Sequence, residues 1–120
     1  MDDLRIAVFG LGRGAHLATV AGCDADPARL GHFRERFPGA AVVHSYDDLL
    51  ALSFDALLLA SFCPDHAPQA IRALEAGVHV LSEVTAFHTP AQGVALVEAV
   101  ERTGLTYMMA ENACFRPRAF

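Results

Sequence analysis

Apolar positions along the chain fall into short unbroken runs, separated by stretches in which they recur every three or four residues. The runs are Leu4–Phe9, Thr19–Cys23, Ala41–His44, Ala56–Ala60, His79–Leu81 and Thr106–Met109. None shows the apolar–polar alternation of a strand with one wet face, so each reads as a strand covered on both sides. The stretches between them read as helices. Pro27 opens one that reaches about Phe37 and stops at Pro38-Gly39, and Asp47 caps a short one through Leu52. A third spans Asp65 to Ala76 and ends at Gly77, and Thr89-Pro90 opens a fourth that ends at Gly104. Ile71 with Leu74, and Val94 with Val97 and Val100, form apolar stripes at helical spacing. Strands alternating with helices predict an α/β domain built on a doubly wound parallel sheet of order 3-2-1-4-5-6, with any ligand at the carboxyl ends of the strands.

The first strand runs directly into GLGRGA, Gly10 to Ala15. A glycine-rich turn between strand and helix brings backbone N–H groups against a phosphate. Gly10 permits the tight exit, Gly12 leaves no Cβ where a pyrophosphate approaches, and Ala15 fits the last position of G-x-G-x-x-G/A, with Gly14 beside it in the same candidate cofactor turn. Arg13 lies inside the turn, where it either pairs with a phosphate oxygen or stays solvated. The next strand ends in Asp24, placed to accept hydrogen bonds from the hydroxyls of a dinucleotide ribose and to repel a 2′-phosphate, so NAD is expected over NADP. Asp24 also suits an N-cap for the helix opened by Pro27, although Asp26 is better placed for that. These features make the domain Rossmann-type.

The connection between the first two strands is short. Only nine residues lie between Phe9 and Thr19, for both the glycine turn and a crossover helix. Returning along a strand of ~16 Å needs ~11 helical residues at ~1.5 Å each. Asp24 also follows the glycines sooner than the usual ~20 residues. The first crossover helix is therefore abridged or missing, either truly truncated or because a segment just before Thr19 is absent from this chain. The good register after Thr19 favours an absent segment.

Length, composition and charge narrow the class. At 120 residues the chain is one domain, residues 1–120. It is 53% hydrophobic with positive mean hydropathy, so some apolar surface is expected to be covered from outside the chain. A net charge of −5 without a basic cluster excludes a nucleic-acid or anionic-membrane partner. No apolar run reaches the ~18 residues of a membrane helix, and nothing resembles a signal peptide. Cys23, Cys63 and Cys114 are odd in number and sit in or beside apolar runs, which reads as reduced, mostly buried thiols and a cytoplasmic location. Cys63-x-x-His66 has no second pair to complete a metal site, so no metal is expected.

Taken together, GLGRGA, the strand end Gly22-Cys23-Asp24 and the run from Asp55 through His66 to GVHVLSE at Gly77–Glu83 resemble the amino-terminal domain of the Gfo/Idh/MocA oxidoreductases. The resemblance covers essentially the whole chain. It implies that His66, on the loop after the fourth strand, lies along the cofactor. The small Ser61 at the start of that loop leaves room for the cofactor. After the fifth strand the family carries Glu-Lys-Pro, whose lysine reaches the nicotinamide ribose and the reacting carbon. This chain has Glu83-Val84-Thr85, so the glutamate carries over and the lysine's proton relay does not. Asn112 resembles the family's asparagine near the nicotinamide, and Phe115-Arg116-Pro117 resembles the lead into a second domain. That domain supplies the substrate pocket, the catalytic histidine and an oligomer contact, and it is expected to be absent here.

Read from the residues themselves, Glu83 follows a buried strand and needs a partner, either a ribose hydroxyl or a structural donor. His66 at a helix start suits either the cofactor cleft or simple packing. The expected function is the cofactor domain of an NAD-dependent oxidoreductase acting on a sugar, cyclitol or related polyol, its homo-oligomer formed through the second domain. An NAD-retaining lyase or glycoside-cleaving enzyme is the second reading, and a non-catalytic Rossmann module the third.

Overall fold

The computed structural model describes residues 3–12 and 20–111. Six parallel strands form one sheet in the order β3-β2-β1-β4-β5-β6, as the sequence predicts. They are β1 (Ile6–Phe9), β2 (Ala21–Cys23), β3 (Ala41–Val43), β4 (Ala56–Leu59), β5 (His79–Glu83) and β6 (Tyr107–Ala110). Helix α1 (Pro27–Arg36) follows β2, α2 (Tyr46–Leu50) follows β3, α3 (His66–Glu75) follows β4 and α4 (Pro90–Thr103) follows β5. Among the described residues no helix lies between β1 and β2. The shortened crossover itself, residues 13–19, lies outside them.

Both faces of the central strands β1, β2 and β4 are buried, which is why they lack polar alternation, whereas β6 exposes Met108 and Met109 and is not covered on both sides as expected. Ala7, Cys23, Leu57, Leu59 and Val80 face α2, α3 and α4, meeting Leu49, Ala70, Leu74 and Leu96. Their chain neighbours Val8 and Leu58 point the other way, onto Leu30 and Phe33 of α1. Gly22 lies on that second side, where a Cβ would come 2.6 Å from the Phe33 ring.

Local signals set most of the helix ends. The Asp26 side chain accepts from the Ala28 N–H and Pro27 fills the first turn of α1. Thr89 and Gln92 form a reciprocal capping box on α4, which closes at Gly104 in the left-handed region at φ 67°. Three expectations need correction. Ser45, not Asp47, caps α2, because its hydroxyl reaches the Asp48 N–H while Asp47 already lies inside the helix. A single 3-10 turn, Cys63–Asp65, precedes α3, so the α-helix begins at His66. β5 continues two residues past Leu81, because Ser82 and Glu83 pair with Met109 and Ala110 of β6.

The stripe read on α4 also faces partly the wrong way. Leu96 and Ala99 are its buried positions, whereas Val94 and Val97 are exposed. Cys23 is buried but Cys63 is exposed, and Cys114 lies outside the described residues. No helix among the described residues is long and apolar enough to cross a membrane.

Candidate functional site

The strand order reverses between β1 and β4, and the chain leaves β1 at that point through Gly10. Its N–H donates to the Cys23 carbonyl at 2.9 Å on one side, while the Ala60 N–H donates to the Phe9 carbonyl at 2.8 Å on the other. Gly10 adopts φ 93°, and a Cβ there would lie 2.2 Å from the Ala60 carbonyl oxygen. Only glycine fits both the backbone and the approach. At Gly12 a Cβ would meet nothing nearer than the Arg29 guanidinium at 3.8 Å. Among the described residues, nothing closes the space above the turn.

Asp24 stands beside this turn with 7% of its surface exposed. Its Oδ2 accepts from the Leu11 N–H at 2.8 Å and its Oδ1 from the Asp26 N–H at 2.9 Å. Burial pushes this carboxyl up, but the Asp26 and Leu11 donors and the Arg29 guanidinium outweigh it and hold the group below its ordinary value. It is therefore an ionised acceptor at neutral pH. Among the described residues, the Asp26 N–H is the donor that reaches Oδ1. Asp24 and Gly10 border a cleft of about 400 Å³ together with Arg29, Ala60, Ser61 and Gln69.

The loops after β4 and β5 complete this edge of the sheet. His66 is 1% exposed, with Nδ1 3.0 Å from the Thr85 carbonyl and Nε2 3.2 Å from the Ser61 carbonyl. An imidazole with one N–H donates to one of these carbonyls, and the ring lies between the two loops. The Ser61 hydroxyl donates to the Gln69 side chain. Glu83 is half-buried at the end of β5, next to Val84, which is 41% exposed.

Of the residues expected in a dinucleotide site, the fold brings Gly10, Asp24 and Ser61 to one cleft. His66 and Glu83 stand at the same end of the sheet without bordering that cleft. Arg13, Gly14, Ala15 and Asn112 lie outside the described residues. Sequence reasoning missed Arg29 and Gln69. Arg29 follows the Asp26 cap by three residues, a helical spacing that places both on one side of α1. Gln69 follows His66 by three in the same way. An adenosine ribose and a pyrophosphate suit this arrangement, because an ionised acceptor stands beside a glycine turn at the carboxyl ends of the strands.

A sequence model described as "Oxidoreductase family, NAD-binding Rossmann fold" (GFO_IDH_MocA) matches residues 7–111. The chain belongs to this family. Among solved members of similar fold, the WlbA dehydrogenase of Bordetella pertussis, in complex with NADH and UDP-GlcNAcA, superposes with a TM-score of 0.86 at 29% identity. That match covers 97% of this chain and 39% of the dehydrogenase. The scyllo-inositol dehydrogenase of Lactobacillus casei, with bound NAD(H) and scyllo-inositol, superposes with a TM-score of 0.87 at 22% identity, covering 97% and 38%. A glycosyl hydrolase family 109 protein of Stenotrophomonas maltophilia is 29% identical over 136 residues, covering 94% of this chain and 30% of that protein. The stretch exceeds the 120 residues available here, so the Gfo/Idh/MocA chain described here lacks residues that this relative carries within the match.

Proposed function

We propose that this Gfo/Idh/MocA domain binds NAD in an enzyme that oxidises a sugar, cyclitol or related polyol. The observation that carries this reading is the ionised Asp24 carboxylate held beside the Gly10 turn at the point where the strand order reverses. Asp24 accepts a ribose hydroxyl, and the pyrophosphate lies over the turn at Gly12, since the Gly10 and Leu11 N–H groups are engaged by the Cys23 carbonyl and by Asp24. Bound there, NAD supplies a hydride acceptor. Ser61 leaves room on the β4 side, His66 holds the β4 and β5 loops in register, and Glu83 offers a carboxylate at the end of β5. The sugar and inositol ligands of the dehydrogenases of similar fold support the substrate class.

The second reading is an enzyme that keeps NAD and uses it for transient oxidation while cleaving a glycoside. It is favoured by Val84, which stands where the family's Glu-Lys-Pro carries lysine, together with the glycosyl hydrolase relative. Either way, substrate contacts, proton transfer and homo-oligomer formation are assigned to a second domain, and the protein to the cytoplasm. Incubating the full-length protein with polyols and with aryl glycosides separates the readings. Net NADH formation supports the first and glycoside cleavage without net NADH the second, whereas failure to bind NAD would reject both.

A further inference from the structure

Ser61 and Gln69 border the Asp24 cleft from the β4 side, and the reading above asks of Ser61 only that it leave room. The two side chains are joined. Ser61 starts the loop after β4, Gln69 lies in the first turn of α3, and the Ser61 hydroxyl donates to Oε1 of Gln69. Gln69 is itself held, because the Tyr46 hydroxyl of α2 donates to its backbone carbonyl at 2.6 Å. A serine hydroxyl carries one proton and two lone pairs. With that proton committed to Gln69, Ser61 Oγ meets a ligand as an acceptor only. Phe62, next in the chain, borders the same cleft with 72% of its surface exposed and gives a flat ring a face to stack on.

We propose that Gln69 makes this site selective for a purine bearing an exocyclic amine, by taking the Ser61 proton and leaving Oγ to accept from that amine. The proposal rests on the cofactor reading above, in which Asp24 receives the adenosine ribose. Because β2 and β4 flank β1, Asp24 and Ser61 stand on opposite sides of the cleft, and a base carried by that ribose lies between them. Adenine presents an N–H donor from its amine. Hypoxanthine has the same outline but carries a carbonyl oxygen at that position, so two acceptors face each other with no proton between them. A site built to receive an N–H rejects the analogue that lacks it, since its acceptor is left unpaired. Gln69 is a positioning residue here: it acts on the base through Ser61.

The test is titration of the full-length protein with NAD and with nicotinamide hypoxanthine dinucleotide, in wild type, Ser61→Ala, Gln69→Leu and Gln69→Glu. Wild type is expected to bind NAD about tenfold more tightly, the factor for one hydrogen bond. Ser61→Ala removes the acceptor and Gln69→Leu frees the hydroxyl to turn and donate, so each brings the two affinities within about twofold. Gln69→Glu keeps an oxygen for the Ser61 proton and retains the preference, which a purely structural role for Gln69 does not predict. Because the readout is a ratio, a general loss of affinity in a variant cancels. Equal wild-type affinity for the two dinucleotides, or the full preference persisting in Gln69→Leu, overturns the proposal. Failure of wild type to bind either dinucleotide removes the cofactor reading itself and this proposal with it.

Discussion

The Leu11 N–H donates to Oδ2 of Asp24 across 2.8 Å, tying the glycine turn after β1 to the acid at the end of β2. One carboxylate thus shapes the turn and, in the reading above, receives the ribose. Asp24→Ala is expected to narrow the preference for NAD over NADP and to cost about 2 kcal/mol in stability, since two N–H donors lose their acceptor. Equilibrium unfolding and paired cofactor titrations measure the two effects separately. Equal wild-type affinity for both cofactors would take Asp24 out of the site.

Asp24 also predicts a response to acid. Its carboxyl is held below the ordinary value in the fold, so its stabilisation is complete above about 3.9, the unfolded value, and is lost as pH falls through the lower folded-state value. Denaturant unfolding between about pH 5 and pH 2 should show this decline. Asp24→Asn should flatten it, and an unaltered slope in that variant would contradict the assignment.

His66 faces two carbonyl acceptors, Thr85 and Ser61, from a fully buried position. Its removal takes away the donor to one carbonyl and the ring packed between the two loops. His66→Ala is expected to destabilise the domain by about 2–3 kcal/mol and to weaken NAD binding through the loosened β4 and β5 loops. Amide hydrogen exchange should rise at residues 61–66 and 83–86 together. A rise confined to one loop would mean that the ring does not couple them.

Gly10→Ala combines left-handed backbone with a Cβ 2.2 Å from the Ala60 carbonyl oxygen. The expected loss is about 3 kcal/mol or more, with β1 and β4 forced apart at the cofactor edge. By contrast, Gly12→Ala meets no such obstruction among the described residues, so its effect should fall on cofactor affinity and spare the melting temperature. Comparable thermal destabilisation by both would argue against an open space above Gly12.

Val84 leaves the β5 loop without the lysine of the related Glu-Lys-Pro motif. The wild-type pH–rate profile should therefore show no limb that depends on residues 77–90. Val84→Lys should introduce a new limb or leave the profile unchanged. If an unaltered residue of this loop already controls proton transfer, substitutions across it will shift the profile and the inference fails.

The chain by itself determined the strand count, the parallel order and the position of the glycine turn, because doubly covered strands and capped helices leave their mark in local pattern. Asp24 was legible because it ends the second apolar run, even though it follows the glycines sooner than the usual spacing. Tertiary structure decided the rest. The outward turn of Val94 and Val97 follows from which α4 stripe meets the sheet, since a helix with apolar residues on both sides carries no local mark of the buried one. The extension of β5 to Glu83 came from β6, a strand more than twenty residues away. The tie from His66 to Thr85, and the placing of Arg29 against Asp24, depend on loops and helices brought together only when the sheet forms. Periodicity records what each segment buries, whereas contacts between segments are set by packing geometry that no local pattern encodes.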